Sequence, residues 1–126
     1  MKKILLALTL VFALSSSAFA ANTETEPNDT IATADTLEVN SSISGKADNN
    51  DVDIFVFVAN QTGKMRTNLT NKNQSVAPYV VLASDKTTSL AESSGEAEFE
   101  VVAGETYYIK LISFGKSDYT LSLNNL

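Results

Sequence analysis

The chain has 126 residues and carries 15 Asp and Glu against 9 Lys and Arg, for a formal net charge of −6, and it contains no His, Cys or Trp. A surface of that sign repels nucleic acid and anionic lipid and suits cations or basic partners. The missing residue types exclude a Ser-His-Asp triad, a cysteine nucleophile, an ordinary zinc site and any disulfide.

Residues 1–20 read as a secretory signal peptide. Lys2 and Lys3 form the positive start, Ile4 to Leu14 the apolar run, and Ala18-Phe19-Ala20 the small-residue cleavage site. The run is too short to span a bilayer. Cleavage between Ala20 and Ala21 removes two lysines and takes the net charge from −6 to −8. Without cysteine there is no lipid attachment, so no membrane insertion is expected after cleavage. Residues 21–126 are one domain by size, large enough for a hydrophobic core, and are expected to be secreted or periplasmic.

Residues 22–30 are polar and irregular, and include the acidic stretch TETEPNDT from Thr23 to Thr30. Thr30 to Leu37 is expected to form one or two helical turns with Asp29 as N-cap. From Ser41 the pattern changes to short runs of period two. These are 41–47, 52–59, 64–70, 76–84, 87–93, 96–103, 106–114 and 119–124. Asn, Asp, Ser, Gly and Lys mark the turns between them. About eight such strands predict an all-β, antiparallel β-sandwich. Ala97, Phe99 and Val101 should face inward against Glu96, Glu98 and Glu100. Tyr119, Leu121 and Leu123 should face inward against Thr120, Ser122 and Asn124. The run VDIFVFVA is apolar on both faces, which fits either a central strand covered on its outer side or a binding face.

A second acidic cluster, Asp48, Asn49, Asn50, Asp51 and Asp53, ends where the strand 52–59 begins. Calcium takes six to eight hard oxygens in a tolerant geometry. The two clusters would supply them if the fold joins them. The spacing is not that of an EF-hand, because Asp53 stands where the invariant glycine belongs. Turn formation and helix capping account for the same residues without a metal.

The order EPNDT-x-x-x-A-D-x-L, then Gly45, then D-x-D-x-F-x-F from Asp51 to Phe57 resembles the bacterial pre-peptidase C-terminal domain family. The later G-x-T-Y-Y-I-K-L (Gly104 to Leu111) and D-Y-T-L-S-L (Asp118 to Leu123) are similar to it too, so the resemblance covers 24–124. It implies a jelly-roll-like β-sandwich of secreted proteins, usually appended to proteases and used by collagenase members to bind collagen. It also implies calcium held between an acidic N-terminal linker and an acidic loop before a strand. By position, Glu24, Glu26, Asn28 and Asp29 match the linker ligands and Asp53 the carboxylate at the strand start. The preceding acidic ligand falls on Asp48, Asn50 or Asp51. The family's mid-domain D-x-D-x-x-L is absent, because Val76 to Leu82 carries no acid. No peptidase precedes the domain, so the expected module is the mature chain itself.

The expected function is a non-catalytic, calcium-stabilised binding module for a protein or polysaccharide. Tyr108, Lys110, Ile112 and Phe114 alternate away from Tyr107, Ile109 and Leu111 and are the candidate ligand surface. An alternative is a periplasmic partner-binding inhibitor, chaperone or immunity-type protein, whose natural target is a basic protein such as a secreted protease. An enzyme is not expected. The carboxylates lie in turns or on exposed faces, and nothing marks a general acid in an apolar pocket.

Overall fold

In a computed structural model the described residues are 23–71, 75, 76 and 78–126, so the expected signal peptide and cleavage site lie outside them. Nine strands follow in order: β1 (Asp35–Thr36), β2 (Ser41–Ala47), β3 (Val52–Val58), β4 (Gly63–Asn71), β5 (Tyr79–Leu82), β6 (Ser89–Ser93), β7 (Glu96–Val101), β8 (Thr106–Ile112) and β9 (Ser117–Asn125). They form two sheets, ordered β1-β3-β8-β5-β6 and β2-β9-β4-β7. Among the described strands every pairing is antiparallel except β1 on β3. This is the expected all-β, jelly-roll-like sandwich.

Period-two alternation decides which side chains enter the core. Ile43, Met65, Leu69, Phe99, Leu121 and Leu123 from one sheet meet Phe55, Phe57, Tyr79, Val81, Ile109 and Leu111 from the other. Burial of this apolar surface drives folding. Phe57 stacks on Tyr107 at 5.5 Å, and Phe55 meets Tyr119 edge-on at 6.4 Å. Tyr79 crosses from β5 to β4, where its hydroxyl lies 2.8 Å from the Thr67 hydroxyl and donates to the Gly95 carbonyl at 2.8 Å. A buried phenol needs such partners.

The two-faced run VDIFVFVA is a central strand. β8 lies on one edge of β3, and the chain from Asn28 to Leu37 runs along the other. Ile54 donates its N–H to the Asn28 carbonyl at 2.8 Å, and Leu37 donates to the Val56 carbonyl at 2.9 Å. On its outer face Ile54 is buried at 5 % exposure, while Val58 at the far end is 55 % exposed.

Three expectations need correction. Only Ile31–Thr33 is helical, as a single 3-10 turn, and its N-cap is Thr30 rather than Asp29. Thr30 and Thr33 close a reciprocal box, each side chain accepting from the other's backbone N–H. Asp35 and Thr36 then extend and pair with β3, which ends the turn. The expected strand 76–84 is reduced to Tyr79–Leu82, with Val76 making only an isolated bridge to Ser113. Pro78 has no N–H to give to a ladder. The strand expected at 87 starts at Ser89, because Thr87 and Thr88 donate their N–H groups to Asp85 Oδ1 and close a turn instead.

Candidate metal centre

The first acidic stretch is brought to the second by backbone and side-chain anchors. Thr23 bridges Ser44 in parallel, and the Glu24 N–H donates to the Ser44 carbonyl at 2.9 Å. Asp35 Oδ2 accepts from the Thr25 N–H at 2.8 Å and from Asn28 Nδ2 at 3.0 Å. Asn28 is fully buried, and its Oδ1 has no hydrogen-bond partner among the described residues. Its carbonyl receives the N–H of Ile54, so it lies beside Asp53 at the start of β3.

Glu26 and Asp29 from the segment and Asp51 and Asp53 from the loop each place a carboxylate oxygen within 4.8 Å of the others. Asp53 is only 2 % exposed. Its Oδ2 accepts from the Tyr119 hydroxyl at 2.6 Å, and its Oδ1 has no partner among the described residues. Burial, with the charges of Glu24 and Asp51 nearby, pushes the Asp53 carboxyl up to about 8 against the hydrogen bond from Tyr119. Glu26 is also raised, first by burial and then by Asp51, Glu24 and Asp29. Asp53 is thus a carboxylate held out of water beside like charges, while Glu26 and Asp29 stay exposed at the rim of the group.

The group fits a hard divalent cation. Oxygens sharing one calcium lie at most about 5 Å apart, twice the ligand distance. The donors are all oxygen, which suits calcium or magnesium rather than a soft metal. The Asn28 amide oxygen and Asp53 Oδ1 are buried acceptors without donors, a costly arrangement that a cation relieves.

Not every residue of the two clusters enters the group. Glu24 meets the Tyr119 hydroxyl instead, and so touches Asp53 through the phenol. The Asp48 carbonyl accepts the Asp51 N–H at 3.2 Å, and Asp48 Oδ1 accepts the Asn49 N–H at 2.8 Å, which shapes the turn. Asn50 in that turn has a left-handed φ of 55°. A cleft of about 560 Å³ opens beside the group between Asp48, Asp51, Lys46 and Lys116. Three further residues build the site: Asp35 orients Asn28, Tyr119 holds Asp53, and Gly45 makes room for Tyr119. A Cβ on Gly45 would overlap the hydroxyl end of Tyr119 and the Glu24 carboxylate. All three stand in the quoted motifs, but sequence spacing gave them no role.

The candidate ligand surface is graded. Tyr108 is 9 % exposed, Lys110 is half-buried, Ile112 is 39 % exposed and Phe114 is 73 % exposed.

No family model matches the sequence, and no curated protein sequence matches it. Solved structures do. The chain is similar to the pre-peptidase C-terminal domain of collagenase from Bacillus anthracis, with 21% identity and a TM-score of 0.63 over 79% of this chain and 99% of that one. It is also similar to Aeromonas hydrophila PliG, a periplasmic inhibitor of g-type lysozyme, with 12% identity and a TM-score of 0.53 over 71% of this chain and 96% of that one. The fold is therefore that of a pre-peptidase C-terminal domain, as the acidic and strand motifs implied.

Proposed function

We propose that this chain is an exported, non-catalytic binding module in which calcium clasps the N-terminal segment to the sandwich. The observation that carries the reading is Asp53 Oδ1, a buried carboxylate oxygen without a partner in a group with three further carboxylates. Glu26, Asp29, Asp51 and Asp53 would hold the ion with the Asn28 amide oxygen. Glu24 supports Asp53 through Tyr119, and Asp48 shapes the turn that offers Asp51. The ion supplies positive charge and fixes geometry, and no covalent chemistry is asked of it.

The ligand is a protein or polysaccharide. Ile112 and Phe114 offer it exposed apolar surface, Lys110 on the same strand is half-buried, and Tyr108 is buried. A second reading is a periplasmic inhibitor of a basic enzyme. The likeness in fold to PliG favours it, and the net charge of −8 left after loss of Lys2 and Lys3 would speed encounter with a basic target.

The test is calorimetry of calcium into metal-free protein, followed by a screen of basic secreted enzymes and soluble polysaccharides against the loaded form. About one ion per chain is expected. Absence of both heat and thermal shift would remove the calcium clasp. Hydrolysis of any ligand in the screen would overturn the non-catalytic reading.

A further inference from the structure

We propose that the ion at the acidic group sets the conformation of the loop that carries Phe114, so that the exposed end of the ligand surface forms only in the loaded protein. This rests on the calcium reading above and names a regulation of the same module's ligand surface.

Phe114 has the greatest exposure of any large apolar side chain among the described residues. It follows β8 in the connection to β9. Two main-chain hydrogen bonds fix it there. Its own N–H donates to the Ser75 carbonyl at 2.8 Å, and the N–H of Ser113 donates to the Asp51 carbonyl at 2.9 Å. Asp51 also supplies a carboxylate to the acidic group. One residue thus holds the Phe114 loop with its main chain and the group with its side chain. Both groups leave the same Cα, so a displacement of the Asp51 backbone carries the two together.

The surroundings leave the loop little independence. Val52 stands opposite Ile112 and Asp53 opposite Leu111, so the last rungs between β3 and β8 lie at the group. Ser113 is buried, and its Oγ donates to the Gly115 carbonyl at 2.5 Å. A Cβ on Gly115 would lie 3.3 Å from Ser75 Oγ and 3.7 Å from Asn49 Oδ1, so the loop is wedged between Ser75 and the 48–51 turn. That turn is held by the Asp51 N–H on the Asp48 carbonyl, and more weakly by the Asp48 N–H on Asp51 Oδ2 at 3.4 Å. Without a cation, like charges on Glu26, Asp29 and Asp51 push the turn away from the segment. Ser113 then loses its acceptor and Phe114 its support.

The test is amide hydrogen exchange by NMR on the intact protein in EDTA and in calcium, with calorimetry on the same samples. Calcium should slow exchange at Ser113 and Phe114 by about tenfold or more. That slowing should exceed the change at Gly104 and Glu105, whose N–H groups bind the carbonyls of Ala59 and Val102 at the opposite end of the sandwich. Equal slowing at both ends, or none at Ser113 while calorimetry registers binding, overturns the coupling and leaves the calcium reading standing. Absence of both binding heat and thermal shift overturns both.

Discussion

Tyr119 on β9 donates its phenolic hydrogen to Asp53 Oδ2 on β3 at 2.6 Å, which ties the two sheets together at the candidate metal centre. The same hydroxyl meets the Glu24 carboxylate. Tyr119→Phe keeps the ring and strips both carboxylates of their partner. The variant should lose about 1–3 kcal/mol of stability in EDTA. For a domain of this size each kcal/mol lowers the melting temperature by roughly 4–8 °C. An unchanged melt by circular dichroism would mean the hydroxyl contributes nothing to stability.

Gly45→Ala tests the space that Tyr119 occupies. The added methyl meets the far end of a ring that is buried and bonded at its hydroxyl, so the ring cannot swing away freely. Overpacking of this kind costs about 1–3 kcal/mol. Urea unfolding should show a lower midpoint with the same slope. Wild-type stability would mean Tyr119 relaxes without loss.

Calcium should raise the melting temperature. At a hundred times its dissociation constant, a ligand bound only by the native state adds about 2.7 kcal/mol. Melts in EDTA and in millimolar calcium should therefore differ by well over about five degrees. Asp53→Ala should abolish the difference. Glu98→Ala should keep it, because Glu98 is exposed on β7 and bonds Arg66 at 2.7 Å, far from the group in the fold. If Asp53→Ala responds fully to calcium, the ion lies elsewhere.

A glutamate-specific protease should cut after Glu24 at least about tenfold more slowly in calcium than in EDTA, as expected when cleavage needs a rarely populated open form. The segment has hydrogen bonds of its own to Ser44, Asp35 and Ile54, so a cation is not its sole anchor. Equal cutting in both conditions would mean these bonds alone hold it.

Asp85 gives a pH dependence remote from the metal centre. Its carboxylate accepts from the Thr88 hydroxyl and from the N–H groups of Thr88 and Thr87, and these bonds lower its pKa from 3.8 to about 2. A depressed carboxyl stabilises the fold above its unfolded pKa and loses that contribution as pH falls through the folded value. Amide exchange at Thr87 and Thr88 should therefore be protected above about pH 4 and released between about pH 4 and 2. Asp85→Asn should show no such step.

Alternation along the chain made the sandwich legible. The inward sets Ala97, Phe99, Val101 and Tyr119, Leu121, Leu123 are all buried, and β2 runs over the expected residues. The acids of the candidate group were legible as candidates because hard-cation chemistry needs carboxylates whatever the fold. The roles of Glu24, Asp35, Tyr119 and Gly45 were not. The partners Glu24 and Tyr119 are 95 residues apart, and period two marks Tyr119 only as a core residue. Asp35 sat inside an expected helical turn, because nothing local says that the chain there becomes the parallel partner of β3.

The short bridge of Thr23 to Ser44 has a consequence for self-association. β2 and β7 are the two margins of the four-stranded sheet, and an open margin is a template for pairing with another chain. On β7 the outward glutamates Glu96, Glu98 and Glu100 discourage such pairing by repulsion. β2 carries Ser42, Ser44 and Lys46 outward, a far weaker deterrent, and its margin is occupied at Ser44 by the segment itself. Whatever holds the segment in place therefore also keeps a strand of this protein from becoming the first rung of an aggregate.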